Sequence, residues 1–356
     1  MVLLALPMGI LAIRLFFSTN EKKDKSKLFM LLCFLLIVFF VGLRSRYVGS
    51  ADTRIYSFMF EQAQGQNLLD FLSSKDIIPR SFIYSEGSFY FLTWILAQVF
   101  DDAQAFILIT TAIINYGVAA FIWKNAKSDT LSWVLYVCLG SLTFSMNGMR
   151  QAIAMSICLF AFEFAKQKKL LKFLLVILLA FTFHRTSVVF LLVYPICNYK
   201  PSVFTNTIVG IGSIAFLLNT RRIAALYDYF VGEDYALASE MESGGLVTVL
   251  IYAIVILSAL VYLSLSNKDS RKSVMNLTLL SFVGLLFYIS RYFSTQIYER
   301  ISYYFFFFII LLLPEVESLF NKNSRFFFKC IVVLMAILLF AYRLSIGSFA
   351  DFEFYV

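Results

Sequence analysis

The stretch TLSWVLYVCLGSLTFSMNGMRQAIAMSICLFAFEFAKQKKLLKFLLVILLAFTFHR, residues 130–185, decides the class of this fold. Three apolar runs, 130–146, 151–165 and 170–183, alternate with short polar joints. One joint, Asn147-Gly148-Met149-Arg150-Gln151, is tight and carries an arginine. The next, 166–172, carries Lys166, Lys168, Lys169 and Lys172. A membrane-crossing helix needs about 20 apolar residues, with shorter ones tolerated. Basic joints beside such helices sit on the cytoplasmic side. The stretch therefore reads as helices threaded through a bilayer, with Arg150 and His184-Arg185 on the face opposite the lysines.

The same pattern fills the chain. Further spans are read near 2–17, 28–43, 103–123, 186–197, 203–219, 246–266, 274–290, 297–314 and 327–344, about 12 in all. The expected fold is an all-α polytopic membrane protein, one integral membrane domain over residues 1–356. Composition agrees: 60% of residues are hydrophobic and 15% charged, against about 25% charged in soluble domains. The mean hydropathy is +0.81. The net charge of +8 lies mostly in short loops beside spans, where it sets topology; nucleic acid is not an expected partner. Cys33, Cys138, Cys158, Cys197 and Cys330 all fall in or beside apolar runs, so no disulfide is expected. Met1–Phe17 lacks the basic start and small-residue cleavage site of a signal peptide.

Orientation follows from the basic loops 18–27, 124–129, 166–172, 267–273 and 315–329. Placing all five inside requires an even number of crossings between successive ones. The short apolar segment 88–100 then cannot cross, and is expected as an outer juxtamembrane or re-entrant helix. Residues 44–102 form one long outer segment and 220–245 a second. By the same parity 170–197 turns outside near His184, with 186–197 either a full span or a half-helix. On this topology 15 of the 16 lysines lie inside and 11 of the 14 arginines outside. Either cation orients a membrane protein, but arginine grips phosphate bidentately. The outer arginines point to an anionic, phosphate-bearing substrate on that side.

Candidate site residues cluster at the outer turns. Arg44, Arg46 and Arg54 flank Asp52 in Arg44-Ser-Arg-Tyr-Val48-Gly49-Ser-Ala-Asp52-Thr-Arg54-Ile-Tyr56. Asp52 is suited to cap a helix starting at Thr53, and stands one turn from Tyr56. Glu86, in Tyr84-Ser-Glu86-Gly87-Ser-Phe-Tyr90, is suited to cap the segment after it or to act as a general base. Arg150 and Gln151 open a helix, where a cation opposes the dipole; an anion held there gains from the arginine and from the helix N-terminus. His184, the only histidine, lies beside Arg185 at a broken helix, where irregular backbone at membrane depth lines a cavity. Its ordinary role is a hydrogen-bonded helix end. One histidine excludes a histidine-rich metal site. Arg291, Tyr298, Glu299 and Arg300 flank another outer turn, with Glu299 placed to pair with Arg300. Asp101-Asp102 reads as helix-start carboxylates rather than a metal pair.

In their order, Val48-Gly49…Asp52…Tyr56, Glu86-Gly87…Tyr90, Met149-Arg150-Gln151…Ala154 and Phe183-His184-Arg185…Ser187 resemble the EpsG family, Wzy-type polymerases of bacterial exopolysaccharide and capsule. The resemblance covers most of residues 40–310. Gly87 stands where the family often has proline. A looser Wzy pattern, arginine followed after ten residues by glycine, occurs at Arg221 and Gly232.

The resemblance implies a GT-C-like glycosyltransferase, without cofactor or metal. It would use undecaprenyl-pyrophosphate-linked oligosaccharides as donor and acceptor at the outer face of the bacterial cytoplasmic membrane. A chain-length regulator is an expected partner. Arg150, Arg185 and Arg291 are expected to bind pyrophosphate, with Arg44, Arg46 or Arg300 assisting. Asp52 is the preferred base over His184. An O-antigen-ligase-like transferase shares this chemistry. A lipid-linked-sugar flippase is disfavoured, because the charges gather at outer turns rather than mid-membrane. A membrane acyltransferase using His184 would need an acyl donor to reach it from the cytoplasm.

Overall fold

The computed structural model describes residues 2–17, 27–49, 51–74, 80–231, 245–265, 268–318, 320–346, 349 and 351–355. They are helical almost throughout. In chain order the helices are α1 (Ala5–Phe16), α2 (Lys27–Gly42), α3 (Ala51–Ala63), α4 (Leu68–Ser73), α5 (Arg80–Val99) and α6 (Ala103–Asn125). There follow α7 (Asp129–Cys138), α8 (Ser141–Asn147), α9 (Met149–Lys166), α10 (Leu170–Phe183) and α11 (Val193–Cys197). The last are α12 (Val203–Leu218), α13 (Thr220–Val231), α14 (Leu246–Leu265), α15 (Lys268–Ser290), α16 (Ile297–Phe306), α17 (Ile309–Glu317) and α18 (Lys322–Ile346).

Four helices among the described residues are long and apolar enough to cross a membrane: Ala103–Asn125, Leu246–Ser264, Arg271–Ser290 and Asn323–Ile346. Two bent pairs raise this to six if each is one span: Val203–Leu218 with Thr220–Leu226 at 74°, and Ile297–Phe306 with Ile309–Glu317 at 42°. Shorter apolar helices occupy Val2–Phe16, Lys27–Gly42, Leu170–Phe183 and Arg185–Cys197. The protein is membrane-embedded. About twelve spans were expected; by length and composition alone four to six candidates stand out among the described residues. Several apolar runs are broken into pieces; the 14 residues of α10, for example, rise only about 21 Å against a core of about 30 Å. The 88–100 segment is part of α5, which is not among the span candidates. It lies along α3 and α4, with Trp94 Nε1 donating to the Gln66 carbonyl at 2.9 Å and Gln98 Nε2 to that of Ala63 at 2.8 Å.

The chain packs as two compact units, each described by itself. The first comprises Met1–Phe164, Leu171–Val188 and Asn321–Val356. Its apolar core gathers Phe60, Phe71, Phe89, Phe106 and Met149 from α3, α4, α5, α6 and α9. Every residue of α7 is buried, as expected of a helix covered on all sides. Gly117 lets α6 meet α9 closely: a Cβ there would stand 2.8 Å from the Ser156 carbonyl oxygen. Asp102 caps α6, accepting from the Gln104 N–H at 2.8 Å, so the expected helix-start carboxylate is one. The C-terminal segment returns to the end of α2, with Ser45 N–H on the Glu353 carbonyl at 2.9 Å and Tyr355 N–H on that of Leu43 at 2.8 Å. Leu171, Leu175, Leu178 and Leu179 on α10 are exposed, as leucines facing lipid are.

The second unit comprises Ala165–Leu170 and Val189–Phe320. α15 is its hub, with α16, α14 and α17 against it. Stacked rings of Phe190, Phe305 and Phe308 fill its interior.

Candidate active site

Glu86 is the centre of the arrangement in the first unit. α5 leaves helical geometry at this residue, with φ −128° and ψ 26°. The sequence suggested that Glu86 precedes a helix; it sits instead at a break inside one. The break turns the carboxylate inward, where it is 0% exposed. A buried carboxylate left alone costs several kcal/mol, so its partners matter. Arg150 Nη1 donates to Oε2 at 2.8 Å. His184 Nδ1 lies 2.6 Å from Oε1. The Arg185 backbone N–H donates to Oε1 at 3.3 Å, and Arg185 Nε stands 3.9 Å from the same oxygen. Burial would raise this carboxyl, but the His184 imidazole, Arg150 and the Arg185 amide outweigh it and hold it below its ordinary value.

Three elements deliver these groups. α9 begins at Met149, which puts Arg150 in its first turn. α10 ends at Phe183, and the chain passes through His184 into a 3-10 helix, Arg185–Leu192. Ser88 Oγ donates to Thr182 Oγ1 at 2.8 Å, fastening α5 to the end of α10. Arg150 is also held by two phenols: its Nε donates to Tyr56 Oη and its Nη1 to Tyr90 Oη, each at 3.2 Å. The Tyr56 ring centroid lies 5.7 Å from the guanidinium carbon. Burial pushes the Tyr90 phenol up to about 12, so it stays neutral. The expectation placed a substrate anion at Arg150; the protein's own carboxylate already meets it there.

The other expected residues take different places. α3 starts at Ala51, so Asp52 lies in its first turn rather than at its N-cap, half-buried, one turn from Tyr56. Gly49 makes that entry possible. Its φ is +95°, and a Cβ would stand 2.4 Å from Asn147 Oδ1. Arg44 was read as an outer, substrate-facing cation; it is fully buried. It donates to the carbonyls of Val41 at 2.8 Å and Met146 at 3.0 Å and to Thr111 Oγ1 at 3.4 Å. Thr53 Oγ1 donates to the same Met146 carbonyl at 3.0 Å. Arg44 therefore ties α2 and α6 to the end of α8, just ahead of Arg150. Burial lowers its guanidinium to about 10, so it stays charged near neutral pH. Arg46 pairs with Glu61, Arg54 is exposed, and Gln151 is buried beside Arg150.

The second unit holds Arg291, Tyr298 and Arg300. Arg291 pairs with Glu299, the carboxylate expected to pair with Arg300. It also lies over the Tyr288 and Tyr292 rings, at 5.2 and 5.3 Å. Tyr298 Oη donates to the Thr220 carbonyl at 2.6 Å. Arg300 is exposed. Arg221 Nε donates to the Phe293 carbonyl at 3.0 Å, while Gly232 lies outside the described residues. Sequence reasoning undervalued Tyr56 and Tyr90. Their signal was present, since each stands four residues after a candidate carboxylate, but a phenol's partner across 94 or 60 residues leaves no local trace.

No curated protein and no solved structure matches the chain. The EpsG family model matches residues 27–354, a range that includes Glu86, Arg150, His184 and their phenol partners. The chain thus belongs to the EpsG family, membrane proteins whose general kind is the Wzy-type polysaccharide polymerase.

Proposed function

We propose that the protein lengthens a glycan at the outer face of the bacterial cytoplasmic membrane, moving it from undecaprenyl pyrophosphate onto a lipid-linked oligosaccharide. The observation that carries this is the buried Glu86 carboxylate, 2.6 Å from His184 Nδ1 and flanked by Arg150 and Arg185. A carboxylate on one imidazole nitrogen fixes the tautomer and aims the other nitrogen as a base. His184, rather than Asp52, then takes the proton of the acceptor hydroxyl. The hydroxyl oxygen attacks the anomeric carbon of the donor with inversion. The bond from that carbon to the pyrophosphate oxygen breaks, and the electron pair leaves on the pyrophosphate.

Arg150 and Arg185 stabilise that developing charge, the role a metal ion fills in other transferases. Glu86 is a positioning residue: it orients His184 and balances part of the positive charge. Asp52, one turn from Tyr56, is suited to bind the acceptor sugar. Twelve crossings in a GT-C-like arrangement belong to the same proposal, supported by apolar helices that continue through breaks and bends.

The test is polymer formation by Arg150→Lys in a capsule-deficient strain, beside wild type and with membrane levels of both measured. Lysine keeps a charge for Glu86 but loses the planar fork. A loss of polymer of about tenfold or more at equal protein level is expected; undiminished polymer overturns the assignment. Elongation by the purified protein in excess EDTA is also expected to continue, and its arrest contradicts the metal-free chemistry.

A further inference from the structure

α12 is held at both ends and open in the middle. At one end Tyr199 Oη bonds to Asn206 Oδ1. At the other, Phe216 packs edge-on against Phe287 at 5.2 Å and Tyr298 at 5.7 Å. Between them no residue of α12 is buried. A cavity of about 550 Å³ separates its Gly210, Ser213 and Leu217 from Leu279, Phe282 and Ile289 of α15. That volume lies within the range of ligand sites, about 300–1,000 Å³. Except at its Tyr199–Asn206 end, its walls are almost wholly apolar.

The two ends of this groove differ in charge. Beyond Leu217 and Ile289 both helices stop, and the chain runs directly into Asn219-Thr220-Arg221-Arg222 on one side and Arg291-Tyr292-Phe293 on the other. The chain bends by 74° between α12 and α13 at this point. Arg221 and Arg222 donate to neutral oxygens, the Phe293 carbonyl at 3.0 Å and Asn219 Oδ1 at 3.3 Å. Arg291 is matched by Glu299. The other end has a neutral tyrosine–asparagine pair, with Lys200 beside it. The positive-inside reading puts the arginine end outside. An apolar slot whose walls run on in the chain into Arg221 and Arg222 on one side and Arg291 on the other suits a long hydrocarbon with an anionic phosphate head.

We infer that the α12–α15 groove holds the polyprenyl chain of a lipid-linked substrate, with its phosphate head at Arg221 and Arg222. The choice of polyprenyl over other lipids rests on the polymerase reading above. Gly210 and Gly212 provide the test. A Cβ at either meets nothing within 4 Å, but only Gly210 lines the cavity. Gly210→Trp should fill the slot, while Gly212→Trp should leave it open, and both replace a weak helix former.

The experiment is photo-crosslinking of the full-length protein in liposomes by a diazirine-bearing polyprenyl pyrophosphate, with mass spectrometric mapping. Unlabelled polyprenyl pyrophosphate or phosphatidylglycerol serves as competitor. Labelling of α12 and α15 is expected, reduced at least about tenfold in Gly210→Trp and unchanged in Gly212→Trp. Unlabelled polyprenyl pyrophosphate should compete, and phosphatidylglycerol should not. Arg221→Ala with Arg222→Ala should weaken labelling about tenfold. Equal competition by phosphatidylglycerol means bulk lipid fills the slot and overturns the inference, as does labelling elsewhere or labelling indifferent to Gly210→Trp. His184→Ala should keep the label, so a failure of the transferase chemistry is distinguished from a failure of the groove.

Discussion

Two arginines, Arg150 half-buried in the first unit and Arg291 buried in the second, each face a carboxylate and two tyrosines, and the carboxylates differ. Arg291 pairs with Glu299, a carboxylate 27% exposed. Arg150 meets Glu86, which is wholly buried and shared with His184 and Arg185. There two guanidiniums and an imidazole lie against one carboxylate. Ion pairing by itself therefore does not mark a site for an anion. What differs is the carboxylate: Glu86 is fully buried and shared among several partners, whereas Glu299 reaches water.

The comparison can be broken most directly by truncating both arginines. Arg150→Ala is expected to lower polymer yield by about 100-fold or more, the scale of losing a charge-stabilising group, whereas Arg291→Ala should cost about tenfold or less. Equal losses, read as glycan ladders at matched membrane levels, would erase the distinction. Arg44→Ala should act through folding. It removes the donors to the Val41 and Met146 carbonyls and leaves a cavity, costing about 2–4 kcal/mol, seen as a lower unfolding temperature in detergent. A wild-type temperature with lost polymer would make Arg44 a substrate ligand after all.

A smaller effect is set by pH. The Glu86 carboxyl is held below its ordinary value of about 4.5 in the folded protein. Its ionised form thus stabilises the fold above that value, and the contribution disappears as pH falls through the lowered one. Thermal unfolding between pH 7 and 3 should show an acid-dependent loss in wild type that is reduced in Glu86→Gln; identical profiles would contradict the burial and pairing of Glu86. Smallest of all is Arg46→Ala. Its pair with Glu61 has side chains 37% and 41% exposed, worth about 0–1 kcal/mol, so polymer yield should stay within about twofold.

Much of the candidate site was legible in the sequence. Glu86, Arg150 and His184 each sit where the local pattern is costly: a polar break beside an apolar segment, a cation at a helix start, a histidine at the end of a broken span. Such costs are visible residue by residue. Arg44 was misjudged because its sequence neighbourhood shows only a charge in an outer loop. Its burial depends on the Met146 carbonyl, 102 residues away. The Glu86–His184 contact, on which the proposal of His184 as base rests, joins residues far apart in the chain and has no period or spacing to reveal it. In the fold, the apolar runs located the helices well, but α5 begins at Arg80 and bends at Glu86 where a start near 88 was expected. A backbone break made for one carboxylate does not announce itself in hydropathy.

The most direct measurement is the length of glycan carried on lipid in cells whose sole copy of the protein bears His184→Ala, present at the wild-type level. Single, unextended repeat units are the expected result, since the acceptor hydroxyl then has no base. A ladder of wild-type length would contradict the account.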